Sequence, residues 1–160
     1  MQVNIKETFS KGAKSEALIR RAYESSGWTV DKKDHTLFPY DFDLSKGNRL
    51  VKVEVKTFGH ATYTTLFAEL EQISAKLGIV SIPEYISSKE KIDYIIWVNR
   101  LTNDAHVYDN ETFANYVLEN KERAFLNGYN TGRGILIEPK EVRAGYKKTL
   151  QLGAFANGTV

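Results

Sequence analysis

Two short runs with strict polar–apolar alternation, Tyr40 to Leu44 and Leu50 to Thr57, flank the segment Ser45-Lys46-Gly47-Asn48-Arg49. A Gly-Asn pair between such runs specifies a tight antiparallel hairpin. Residues facing each other across a hairpin have a constant index sum, so a two-residue Gly47-Asn48 turn sets Lys46 opposite Arg49 and Asp41 opposite Glu54. Because side chains alternate across a strand, Phe42, Leu44, Val51, Val53 and Val55 share one face, while Asp41, Asp43, Glu54 and Lys56 share the other. The first face belongs to a core. The second carries two or three carboxylates and an ammonium.

The rest of the chain supplies elements to pack against this hairpin. Ala17, Leu18, Ala22 and Tyr23 follow a helical period, with Glu16 in the first turn, and predict a helix over Ser15–Ser26 that stops at Gly27. Trp28-Thr29-Val30 reads as a short strand, and Asp31 to Thr36 as a loop. After a loop from Phe58 to Thr64, the residues Leu66, Phe67, Leu70, Ile73 and Leu77 predict a helix over Thr65–Leu77, ended by Gly78. Ile79 to Lys91 is a linker. Tyr94 to Val98 is apolar enough for a central strand, and Asn103-Asp104 turns the chain into a second hairpin over Ala105–Tyr108. A helix from Asn110 to about Phe125 and a short strand at Gly134–Ile137 complete an α/β order. Trp28, Trp97 and Phe67 lie among apolar neighbours and are expected in the core.

The chain has 160 residues, 42% of them hydrophobic and 26% charged, which suits one globular domain. It contains no cysteine, which excludes disulfides and thiolate zinc sites and leads to the expectation of a reducing, cytoplasmic setting. No stretch approaches the roughly 18 apolar residues of a membrane span. A net charge of +2 is too small to argue for nucleic acid by itself. Three dispersed histidines, His35, His60 and His106, disfavour a zinc enzyme.

Carboxylates placed opposite each other repel, and a bound cation would relieve them. Aspartate and glutamate oxygens are the hard ligands Mg²⁺ prefers, commonly one or two carboxylates with waters and a substrate phosphate. Such an ion activates water and screens charge growing on phosphorus. Lys56 lies two residues after Glu54 on the same face, where its charge would act on the attacking water or a phosphate oxygen.

Asp41, a step of 13 residues to Glu54, then Val55 and Lys56, resembles the PD-(D/E)xK, or restriction-endonuclease-like, nucleases. The element order over roughly residues 12–100 fits that family: a helix with an acidic residue (Glu16), a strand, Asp41 opening the second strand, Glu54-Val55-Lys56 in the third, a crossover helix, and a parallel fourth strand. Tyr40 stands where the family name has proline. The resemblance implies an α/β/α core with a central mixed sheet of four to five strands flanked by helices, in one domain over 1–160 with 101–160 as additions. It further implies metal held by Asp41, Glu54 and the main-chain carbonyl of Val55, with Mg²⁺ as cofactor and Mn²⁺ as a substitute, and cleavage leaving a 5′-phosphate. Asp43 shares the face of Asp41 and competes with it as the ligand, and Glu16 is a further candidate. Asp41 is preferred because the hairpin register sets it beside Glu54.

Within the family, Lys11-Gly12-Ala13-Lys14-Ser15-Glu16, Gly27-Trp28-Thr29-Val30 and the small size look most like junction resolvases and phage nucleases. The expected partner is DNA, with a homodimer cutting both strands. Only about 60 residues follow the fourth strand to read base edges, so structure-directed or modestly specific cleavage ranks above type II restriction. Candidate DNA contacts are His60, Tyr63, Lys14, Lys147 and Lys148, with Arg143 and Arg133 as weaker ones. Rival readings are a non-catalytic nucleic-acid-binding module on the same fold and a protein-interaction domain whose acidic face is merely solvated.

Overall fold

The computed structural model describes residues 5–59, 64–74 and 76–155, with side chains described from Gly12 onward. Helix α1 (Ile5–Ser25) begins a full ten residues before the predicted start. It ends where Gly27, at φ +88°, reverses the chain into β1 (Thr29–Lys32). The hairpin follows as β2 (Phe42–Lys46) and β3 (Arg49–Phe58), with Lys46 opposite Arg49 and Phe42 opposite Val53, so the register is that of a two-residue turn. Gly47 takes the left-handed conformation at φ +60°.

Beyond β3 the chain forms β4 (Leu66–Ile73), β5 (Val80–Ser81) and the single-turn α2 (Glu84–Ser87). It returns as β6 (Tyr94–Asn99), parallel to β3, with Glu54 beside Ile95 and Lys56 beside Trp97. Then come β7 (Asp104–Asp109), α3 (Asn110–Glu119), β8 (Phe125–Leu126), β9 (Gly132–Ile137) and β10 (Tyr146–Gln151). The mixed α/β architecture contains two sheets, β1-β2-β3-β6-β7-β10 and β5-β4-β9-β8.

The predicted helix over Thr65–Leu77 is therefore wrong: Leu66–Ile73 form strand β4, paired antiparallel with β9. Leu66 and Ala68 are fully buried with Phe67 between them half-exposed, a period of two that the spacing of Leu66, Leu70, Ile73 and Leu77 disguised as a helical one. Tertiary pairing decided between the two readings. The central sheet has six strands rather than four or five, because β10, unforeseen, pairs with β7. Residues 101–155 are not peripheral additions; they supply β7, α3, β9 and β10. The third helix stops at Glu119 and a 3-10 turn follows at Lys121–Arg123.

Each face of the six-stranded sheet has its own core. Phe42, Leu44, Val53, Val55, Ile96, Val98 and Val107 pack against Leu18 and Ile19 of α1, each large side chain contributing about 1.5–3 kcal/mol on burial. On the opposite face Ile95, Trp97 and Tyr108 pack with Phe113, Ala114 and Val117 of α3, Tyr85 and Ile86 of α2, and Leu66, Ala68, Ile135 and Ile137 of the second sheet. Phe113 meets Trp97, Tyr108 and Tyr85 with ring centroids 5.2–6.1 Å apart. Trp97 is core as expected. Trp28 and Phe67 are not: Trp28 is half-exposed beneath Lys46 and Arg49, and Phe67 lies on the outer face of β4 against the exposed Phe125.

Within the second sheet, Gly134 of β9 lies against β4 beside an irregularity in their ladder, where an added Cβ would overlap the Ala68 carbonyl oxygen and the Cα of Glu69. Backbone cannot yield there. Gly134→Ala is expected to cost about 2 kcal/mol, whereas Gly128→Ala, which meets nothing within 4 Å, should fall within about 0.5 kcal/mol of wild type. Urea denaturation of the two variants checks the contrast.

Candidate active site

The β2–β3 ladder closes at Phe42 opposite Val53, and the chain entering it departs from the sheet at Asp41. The Asp41 main-chain N–H still reaches the Val53 carbonyl at 3.0 Å, while its carboxylate Oδ2 accepts the Val55 N–H at 2.8 Å. The two bonds bracket Glu54. Where the partner strand ends, the Asp41 side chain satisfies the next donor of β3, because a buried N–H must be paired. Asp41 and Glu54 come together as the index sum required.

Glu54 points into the space between the sheets and is only 8% exposed. The polar face of the hairpin is thus not the open surface its sequence suggests, because the second sheet and the turn into α2 cover it. Burial pushes the Glu54 carboxyl well above its ordinary value, and its hydrogen bond with Asp41 and the negative charges of Asp41 and Glu84 push the same way; Lys56 opposes them. Burial also acts to raise Asp41, but the hydrogen bonds from Glu54 and the Val55 N–H, with the charges of Lys32 and Lys56, overcome it and hold Asp41 below its ordinary value. The acidities of the two carboxyls are thus driven apart, as those of like charges in one site are.

Two cations attend the pair. Lys32 Nζ lies 2.9 Å from Glu16 and 3.4 Å from Asp41 Oδ1. Glu16 is placed by α1, which is tied to the sheet through the Thr57 hydroxyl donating to Ser15 at 2.7 Å. Glu16 thus reaches the site through Lys32, with its carboxylate engaged by that lysine. Lys56 stands two residues along β3 from Glu54, half-buried, and its charge acts on Glu54 and also on Glu69 of β4. Burial raises the Glu69 carboxyl, against the opposing pull of Lys56 and Gln72.

Lys32, Glu69 and Glu84 are site residues that the sequence reading missed. Lys32 fell in a presumed loop, and Glu69 in a presumed helix where it carried no periodic signal. Asp43 does not join the pair: its carboxylate lies 3.5 Å from Lys33. Lys14 is exposed on α1. Lys147 and Lys148 lie on the α1 side of the sheet, away from Glu54, with Lys148 over the Tyr23 ring. Arg143 lines a separate cleft of about 690 Å³ with Phe58, Asn99 and His106, and Arg133 is exposed on β9. His60 and Tyr63 lie outside the described residues.

Among the described residues no group of three or more His, Cys, Asp or Glu side chains is arranged to enclose a metal ion. The Asp41–Glu54 pair supplies two neighbouring carboxyls to which a divalent cation could bind. No helix among the described residues is long and apolar enough to cross a membrane.

No protein-family model and no curated protein matches the chain. Among solved structures it is similar to a bacterial homing endonuclease, I-Ssp6803I, with a TM-score of 0.55 and 17% identity over 68% of this chain and 73% of that one. The two share a fold.

A carboxyl raised above its unfolded value binds its proton more tightly in the folded state, so its contribution is greatest at low pH and declines as pH rises from the ordinary 4.5 through the raised value. Glu54→Gln keeps a donor toward Asp41 without the ionisation. It is expected to match wild type in stability near pH 4.5 and to exceed it near pH 8, as read by chemical denaturation at the two pH values without divalent metal.

Proposed function

We propose that the chain is a metal-dependent DNA endonuclease of the PD-(D/E)xK kind, with Asp41, Glu54 and Lys56 as its catalytic residues. The observation that carries this reading is the bracketing of Glu54 by Asp41, which sets a buried and a partly buried carboxyl side by side with Lys56 on the same strand face. The fold shared with a solved protein described as a bacterial homing endonuclease supports it.

Asp41 and Glu54 would hold Mg²⁺ together with the Val55 main-chain carbonyl, Mn²⁺ serving as a substitute. The ion would supply a polarised water and compensation for the charge of a pentavalent phosphorus centre. The chain's own residues do the rest. Burial keeps the carboxyls short of solvent, so their charge acts on a bound cation at full strength. Asp41 is fixed by its bond to Val55 and cannot rotate away from Glu54. Lys56, whose charge acts on both Glu54 and Glu69, offers its ammonium to the attacking water or the scissile phosphate, where negative charge grows. Hydrolysis would leave a 5′-phosphate, and two copies of the chain would cut both strands of a duplex. Structure-directed or modestly specific cleavage is favoured over site-specific restriction.

The test is cleavage of supercoiled plasmid, linear duplex and a four-way junction, with and without Mg²⁺. Wild type should cut only with the metal. Glu54→Ala and Lys56→Ala should each lose about 10²-fold or more in rate while still binding DNA. A wild type that binds but never cuts selects the non-catalytic module, and undiminished cutting by either variant removes that residue from the mechanism. A second expected outcome concerns metal binding itself: Mg²⁺ should raise the melting temperature more near pH 8 than near pH 6, because the ion competes with protons for the raised Glu54 carboxyl, and Glu54→Gln should abolish that rise.

A further inference from the structure

On the α1 side of the sheet, at the end of β3 remote from Lys56, four cations gather around three aromatic rings. Lys46 and Arg49 flank the β2–β3 turn, and each lies over the Trp28 ring, at 5.9 and 5.5 Å from its centroid. Lys148 of β10 lies 5.6 Å over the Tyr23 ring. Lys147, with Arg49, Lys148, Tyr23, Trp28 and Tyr94, lines the shallow groove between them. A second groove continues past Lys148 along Tyr23, Trp28, Ser25 and Ser26. All four cations are exposed.

Aromatic faces rather than carboxylates meet three of these four charges. Elsewhere among the described residues Arg20, Lys32, Lys33 and Arg123 rest against carboxylates. Lys46, Arg49, Lys147 and Lys148 have no carboxylate partner among the described residues. An aromatic face fixes a cation through its quadrupole and leaves the full positive charge in place, whereas a carboxylate cancels it. Lys46 is further pinned by donating to the Ser26 carbonyl at 2.7 Å. The side-chain entropy that an exposed lysine normally loses on meeting an anion is thus partly lost already.

We propose that this strip is a binding site for the phosphate backbone of duplex DNA, separate from the candidate active site. A polyanion is the partner that several unneutralised cations in a row select, and backbone contacts of this kind position a duplex without reading its sequence. Single strands bind by stacking bases on bare aromatic faces, and here Lys46, Arg49 and Lys148 cover those faces. Arg49 and Lys56 are separated by about 23 Å of strand, and the two sites open on opposite faces of the sheet, so the strip is not an extension of the active site. The inference goes beyond the nuclease reading and does not require it.

The experiment measures affinity for a labelled duplex and the matching single strand as a function of salt, without divalent metal. Lys147→Glu/Lys148→Glu and Arg49→Glu are compared with Lys91→Glu/Lys121→Glu, two exposed lysines elsewhere; unchanged melting curves verify folding. Duplex affinity should fall at least tenfold in the strip variants and much less in the control. The slope of log affinity against log salt should flatten by about 2 for the lysine pair. An equal loss in the control, or tighter binding to single strands than to duplex, overturns the proposal. Cleavage of plasmid with Mg²⁺ by the same proteins separates the two readings: strip-dependent binding without any cutting leaves the strip standing and removes the nuclease, while cutting with strip-independent binding does the reverse.

Discussion

The carboxylate of Asp41 does the work of a missing strand. Where β2 ends, the Val55 N–H would be left without a partner inside the protein, and Asp41 accepts it at 2.8 Å. A side chain recruited to complete a ladder is held as firmly as backbone. That constraint delivers an acidic group to the flank of Glu54, and the proximity of the two carboxyls then dictates the opposed shifts in their acidity.

The covering of this pair is the second determinant. A hairpin with one apolar and one charged face could have left its charges in water, where each would behave much as in a free peptide. Instead β4, β9 and α2 close over the charged face, and the same packing that buries Ile95, Trp97 and Phe113 takes Glu54 from solvent. Burial makes charge expensive, so Lys32 and Lys56 become necessary companions rather than ornaments of the surface. Within that covering sheet, the pairing of β9 with β4 requires glycine at position 134, since any Cβ there would strike the β4 backbone.

Much of the hairpin was legible because its determinants are local. Gly47-Asn48 sets the turn, the turn sets the register, and the register sets which side chains share a face. Neighbouring assignments failed where the deciding contacts are distant in sequence. Leu66 to Leu77 satisfies a helical spacing as well as a strand spacing, and only pairing with β9, more than sixty residues on, resolves it. Trp28 has apolar neighbours in sequence, yet it lies at the rim of the α1 core, where Lys46 and Arg49 cover it. Lys32 has no motif of its own; it matters because the end of β1 lies beside both Glu16 and Asp41.

By itself, then, the order of residues determined a hairpin, the two faces of its strands, and the meeting of Asp41 with Glu54 and Lys56, since alternation and turn geometry act over a dozen residues and need no distant partner. Only the tertiary structure decided that the charged face is enclosed, that Glu69 and Lys32 attend it, and that Asp43 turns to Lys33 instead. Those outcomes depend on which surfaces a folded chain brings into contact, and burial, the quantity that governs the strength of every charge in the site, exists only once they have met.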